Sequence, residues 1–377
     1  MWGQSFLAGT AEETVSADLF DEYGLPATQG QGAQDWMVQE GVAQDWTEQE
    51  WFAPDNLYRG NSHPEWPYQE HPSDAGSSSM PLIPMIGLDD IIFTPPLPPQ
   101  EPVQAHSTAL SDEYIQRLMS FDYLTNNIFL VDRYTALFPS DIDTYAFLRE
   151  DLRIDTSIRG PQVLIFHTHS LERFADSNPL DQMDGVVGLG RKLAELLTGV
   201  YGIETMHYTG QFDVVESRPQ RQGAYERMEP VIQQVLADNP SIQMVIDIHR
   251  DGVRDGAGPF ITYVNGQRTA RIMFFNGLSR QNRGGRITDV PWLPNPYLRE
   301  NLNFSFQLQL ASNQLYPGFA RRVYLREFRY SLHMMPMSMF VEVGNQYNTV
   351  QEAMLAMEPL AEIIAAVVLG GPPVGGD

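Results

Sequence analysis

Cysteine is absent from the 377 residues, and acids outnumber bases by 48 to 24. The bases are 23 arginines and a single lysine. Without cysteine there is neither a thiol nucleophile nor a thiolate metal site. The formal net charge of −24 argues against nucleic acid as a partner, because phosphate binding needs a clustered basic surface. Any anionic polymer would be repelled too, so binding one would fall to local arginines such as Arg250, Arg321, Arg322 and Arg329, or to aromatic contacts. No window approaches the roughly 18 apolar residues of a membrane span. The opening Met1-Trp-Gly-Gln carries neither the basic stretch nor the apolar core of a leader.

The acidity is uneven. Residues 1–110 hold 17 acids and one arginine, a net charge of −16, and the remainder holds 31 acids and 23 bases, or −8. Five of the six tryptophans also lie in front, including a near-repeat, Ala33-Gln-Asp-Trp36 and Ala43-Gln-Asp-Trp46. Runs such as Ser77-Ser-Ser79 and Pro95-Pro-Leu-Pro-Pro99 follow. Such a stretch buries too little apolar surface to offset its ordering entropy. Residues 1–110 are therefore expected to be a disordered, solvated tail that carries no chemistry.

Beyond it, residues 111–160 read as a lead-in subdomain and 161–377 as a catalytic domain. Strands are predicted at 163–168, 203–208, around His249 and at 338–343, with helices at 185–197, 222–239, 301–315 and 349–369, the first and last of them amphipathic. The spacing of Gly185, Gly188 and Gly190, with no strand directly before it, rules out a dinucleotide fingerprint. Residues 259–276 alternate like a hairpin with Asn265-Gly266 as its turn. Alternating strands and helices predict an α/β fold, a mostly parallel sheet with helices on both faces.

Three segments carry the chemistry: Val163-Leu-Ile-Phe-His-Thr-His169 with Glu172 just behind, Val245-Ile-Asp-Ile-His249-Arg250-Asp251, and Met339-Phe-Val-Glu342-Val-Gly-Asn345. Each runs an apolar strand into a metal-type or acid–base side chain. In open α/β sheets ligands gather outside the carboxyl ends of parallel strands, so such ends converge on one site. Two histidines and a carboxylate are a standard ligand set for catalytic zinc, which points to His169, Glu172 and His249 around Zn2+. Glu342 is left as general base, and hydrolysis of an amide is the predicted reaction. His167, two residues before His169, would share its strand face, as a substitute ligand or a supporting partner. Asp247 either holds the His249 tautomer or caps neighbouring backbone. Arg250 is a candidate to steady an oxyanion or a substrate carboxylate. A zinc carboxypeptidase would use the same residue types, and an inactive binding scaffold is the non-enzymatic alternative.

The segments 161–172, 239–252 and 340–349, together with Met273-Phe-Phe-Asn-Gly-Leu-Ser279, Tyr316-Pro-Gly318, Arg329-Tyr330 and His333, resemble the stage II sporulation protein P family of endospore-forming bacteria. The resemblance spans about residues 113–370 and implies similarity to the zinc N-acetylmuramoyl-L-alanine amidases. It implies a peptidoglycan hydrolase of engulfment that cuts the amide between glycan and stem peptide, with an added endopeptidase activity. It also implies His169, Glu172 and His249 as ligands and Glu342 as catalytic carboxylate. The amidase pattern puts its ligand Glu near Asp184, where this chain has none. Implied partners are peptidoglycan and the stage II sporulation proteins D and M, at an extracytoplasmic, septum-associated location. Family members carry an amino-terminal signal or anchor, which predicts a natural start upstream of Met1.

Overall fold

The computed structural model describes residues 91–93 and 110–370. The expected disordered tail, with its tryptophan repeat, lies outside the described residues apart from one short strand. In chain order the strands are β1 (Ile91–Phe93), β2 (Phe129–Val131), β3 (Val163–Phe166), β4 (Thr205–Tyr208), β5 (Val214–Val215), β6 (Arg218–Pro219) and β7 (Met244–Asp251). They continue as β8 (Ile261–Val264), β9 (Gln267–Ala270), β10 (Ile272–Gly277), β11 (Arg280–Arg283), β12 (Arg286–Asp289), β13 (Ala320–Arg326) and β14 (Ser338–Asn345). The α-helices are α1 (Asp112–Leu118), α2 (Phe121–Asn127), α3 (Thr144–Arg149), α4 (Val186–Gly199), α5 (Ala224–Asp238), α6 (Leu298–Leu315), α7 (Val350–Leu355) and α8 (Met357–Gly370).

Eight strands make one sheet in the order β1-β4-β3-β7-β14-β10-β13-β2. All neighbours are parallel except β1 with β4 and β14 with β10. The pleat sends alternate residues to opposite faces. Val163 and Ile165 join a core with Leu189, Leu193, Phe306 and Ile364 of α4, α6 and α8. Leu164 and Phe166 join another with Met228, Val231 and Ile232 of α5. Helices therefore cover both faces of a mostly parallel sheet, as the alternation of elements predicts. Since β3, β7 and β14 are adjacent and parallel, the three motif segments end side by side.

Three expectations need correction. Residues 259–276 are not one hairpin: Asn265 and Gly266, at φ 51° and 77°, turn β8 into β9, but β10 leaves to enter the main sheet against β14. The last helix is not a single amphipathic rod. It breaks at Ala356; the first piece buries only Glu352 and Ala353, while α8 is buried along most of its length against α4 and α6. Val350–Gly370 also has the length and apolarity of a membrane span, with a mean hydropathy of 1.8, contrary to the expectation that no window comes near; 67% of that window is buried inside the fold.

Helix α6 is buried along nearly its whole length, polar residues included. Gln307 donates to the carbonyls of Phe147 (2.7 Å) and Glu150 (2.9 Å). Asn301 donates to Leu332 O and accepts from Ser338 N. Phe306 packs against Phe129 and Phe147, with ring centres 6.2 and 5.9 Å away.

Candidate metal centre

The strand β3 stops at Phe166 and the chain turns at once through His167–His169. Asp247 of β7 holds this turn, accepting from the Thr168 amide (2.9 Å) and hydroxyl (2.6 Å). With the pleat lost, His167 and His169 do not share a face. His167 is fully buried, with Nδ1 3.0 Å from Ile248 O and Nε2 2.8 Å from His207 Nε2. Both nitrogens are committed, which overturns its expected place as a substitute ligand. Burial holds its pKa down to about 4. The His167–His207 pair packs under α4, where a Cβ on Gly190 would lie 2.5 Å from His207 Nε2 and 2.6 Å from His167 Nε2. Close approach to this pair accounts for that glycine.

His169 is buried, edge-on to both Tyr225 (5.4 Å between ring centres) and His249 (5.3 Å). Its Nδ1 has no partner. Burial, with Arg221 adding to it, pushes its pKa well below the usual histidine value. Glu172, 3% exposed, accepts from Arg221 Nη1 (3.0 Å) and from the backbone amide of Arg250 (2.8 Å). Its Oε2 lies 3.5 Å from His249 Nδ1. Burial raises the Glu172 pKa, but His249 and Arg221 outweigh it and hold the carboxyl well below its ordinary range.

His249 lies flat on Phe340, ring centres 4.1 Å apart, with Nε2 2.8 Å from Asp247 Oδ1. Burial disfavours its charge, yet Asp247 and Glu172 outweigh that and push its pKa up to about 10. Asp247 thus holds the turn, as one of its two expected roles, and lies beside His249 Nε2 as a counter-charge. Glu342 faces His249 directly across β14 and β7, and its Oε2 is sealed from solvent without a partner. Burial, then Asp251, raises its pKa well above the usual carboxylate value. The same cross-strand row continues through Met273 to Arg321, whose guanidinium reaches back to Asp251 (2.7 Å). Arg250 sends its side chain to the carbonyls of Arg173 and Asp251. Asp184 bonds within its own loop, at Asn178 N.

Among the described residues no three His, Asp or Glu side chains are gathered as a ready-made metal site. One spacing nevertheless suits a cation. Two ligand atoms of a four-coordinate ion with bonds of about 2.0–2.2 Å lie roughly 3.3 Å apart, close to the 3.5 Å between His249 Nδ1 and Glu172 Oε2. A buried imidazole nitrogen without a partner is costly unless something fills the place, and His169 Nδ1 is such an atom. A proton on His249, between two carboxylates, sits where positive charge is wanted. Sequence reasoning missed Tyr225, Arg221 and Asp251; only Asp251 left a signal, two residues beyond His249 on the same strand face.

The model of the stage II sporulation protein P (SpoIIP) family matches residues 107–365. The chain belongs to that family. A curated family relative, Stage II sporulation protein P of Bacillus subtilis (strain 168), is 21% identical over 217 residues, 54% of this chain and 50% of the relative. The chain thus spans about half the length of that relative. Among solved structures, an N-acetylmuramoyl-L-alanine amidase from Clostridium difficile 630 is 15% identical, covering 56% of this chain and 97% of that one, with a TM-score of 0.34. The CwlD amidase from Clostridioides difficile, solved with the GerS lipoprotein, is 14% identical, covering 55% and 95%, with a TM-score of 0.33. Likenesses of that size leave the fold to be described by its own sheet order.

Proposed function

We propose that the chain is a zinc-dependent peptidoglycan hydrolase of sporulation that cleaves the amide between N-acetylmuramic acid and L-alanine. The observation that carries this reading is the pair of buried imidazoles, His169 and His249, with ring centres 5.3 Å apart and an unpartnered nitrogen on His169. His169, Glu172 and His249 would hold the ion. Zinc bound there would supply a water of pKa near 7 and polarise the amide carbonyl.

The chain's own residues do the rest. Asp247, beside His249 Nε2, fixes the tautomer that leaves Nδ1 as the donor atom. Glu342 Oε2 takes a proton from the attacking water and returns it to the departing amine. Its raised pKa favours the uptake, and positive charge gathered beside His249 favours the return. Phe340 and Tyr225 wall the imidazoles off from water. Arg250 acts through the Glu172 carboxylate that its backbone amide holds, rather than on substrate. Family membership supports the wall substrate, a location at the septum outside the membrane, and cooperation with stage II sporulation proteins D and M; cleavage of peptide cross-links would use the same site.

Metal analysis of the full chain and mass spectrometry of products released from wall sacculi test the reading. Stoichiometric zinc and intact stem peptides are expected, and His249→Ala should lose both. Peptides trimmed only from their carboxyl ends would favour a carboxypeptidase. A His249→Ala protein that kept its zinc and its activity would sink the metal assignment.

A further inference from the structure

Between β4 and α5 the chain leaves the sheet for a short excursion, residues 209–223, that lies across the His169–Glu172 turn. Both sides of this strap are tied down by Arg227 of α5, which donates Nε–H to Phe212 O and Nη2–H to Gln220 O (2.6 Å each). Gln220 N closes the loop by donating to Asp213 O (2.7 Å). At the tip, Glu216 and Ser217 turn β5 into β6 in the left-handed region, at φ 49° and 61°, although neither is glycine. That conformation persists for a non-glycine residue only where its surroundings hold it.

The strap touches the turn at two points. Asp213, 3% exposed, accepts from the Ser170 hydroxyl (2.6 Å) and the Leu171 amide (2.9 Å). Arg221 reaches Glu172 Oε1. Ser170 and Leu171 are the only residues between His169 and Glu172, so a single buried carboxylate grips both residues of the link between two candidate ligands. On the other side of His169, Asp247 does the same for Thr168. A turn gripped at both flanks by buried carboxylates has little freedom left, and its side chains inherit that rigidity.

We propose that Asp213 is a positioning residue that sets the Glu172 carboxylate against His249 for cation binding. It rests on the reading of His169, Glu172 and His249 as ligands. Asp213 itself faces the turn and takes no part in holding the ion. Groups that orient ligands in this way are worth about 10–100-fold in metal affinity.

The test uses the full chain and zinc alone, with affinity read by competition against a chromogenic chelator. A cobalt-substituted sample gives a visible spectrum sensitive to coordination. In Asp213→Asn the side chain keeps its shape but loses one of its two acceptors. Zinc affinity should fall about 10–100-fold and the cobalt bands should shift, while the metal-free protein keeps its fold by circular dichroism. Ser170→Ala, which removes one bond, should fall in the same direction by less. A purely structural residue would lower the melting temperature and leave affinity and spectrum alone.

If wild type binds zinc, His249→Ala does not, and Asp213→Asn binds as wild type does, the ligand reading stands and this inference is overturned. If wild type binds no zinc, or His249→Ala binds it equally well, the ligand reading fails and takes the inference with it. Should Asp213→Asn not fold, Ser170→Ala decides by the same affinity: unchanged binding overturns the proposal.

Discussion

Strands β7 and β14 present Ile246, Ile248, Val341 and Val343 to α4, α6 and α8, and present Asp247, His249, Phe340 and Glu342 to the α5 side. Neighbours in sequence therefore live under opposite rules. On the first face burial of aliphatic and aromatic surface stabilises the molecule, and near-equivalent side chains would serve. On the second, buried charges are tolerated because each has a counter-charge or donor, apart from a few atoms left without one. Three atoms without a hydrogen bond, His169 Nδ1, His249 Nε2 and Glu342 Oε2, are in the candidate site. The difference teaches that stability and chemistry are separable here by strand parity.

Substitutions on either face can break that separation. The largest expected effect is on the polar side: Glu342→Gln should lower the rate of wall hydrolysis on the order of 100- to 10,000-fold and leave the melting temperature within a few degrees of wild type. Near-wild-type turnover would end its assignment as the acid–base group. Next, Phe306→Ala on the other face should cost about 3–5 kcal/mol in denaturant unfolding, with activity per folded molecule retained. A specific loss of turnover at unchanged stability would show that the faces are coupled. The smallest effect is expected at Glu229, which joins α5 to the loop after β13 through Arg329 (2.7 Å) and His333 (3.1 Å). Its bond to His333 holds its pKa below the ordinary 4.5. A depressed carboxylate contributes stability above its unfolded value and loses it as pH falls through the folded one. Glu229→Gln should therefore lower stability slightly at neutral pH and flatten the acid limb of a stability–pH curve, the difference from wild type closing as pH falls below about 4.5. An unaltered acid limb would remove Glu229 from that account.

Much of the sheet was legible because β3, β7 and β14 are apolar runs that stop abruptly at polar side chains, and α4, α5 and α6 keep helical length between turn signals. The four candidate groups His169, Glu172, His249 and Glu342 were readable for the same reason. The facing of His167 was not, since the pleat ends at Phe166 and only Asp247, from another strand, decides how the chain turns. Strand β13 escaped notice because Ala-Arg-Arg-Val-Tyr-Leu-Arg326 looks like surface, yet Arg321 is 4% exposed, bonded to Asp251 and lying over Phe260. Tyr225, Asp213 and Arg221 come from a loop and a helix start whose residues carry no period to read. The final helix misled because its partners, α4 and α6, cover the sides that an amphipathic rod would leave wet.

The amide of Gln307 reaches out of α6 to the backbone at Phe147 and Glu150, and this limits how the protein can be trimmed. A fragment begun at residue 161, however natural the boundary looks, would strand that amide in an apolar trough, uncover Phe306 and bare the outer edge of β13. Such a fragment should aggregate rather than report on catalysis, so the shorter chain is the wrong tool for asking what the half that carries the candidate site does by itself.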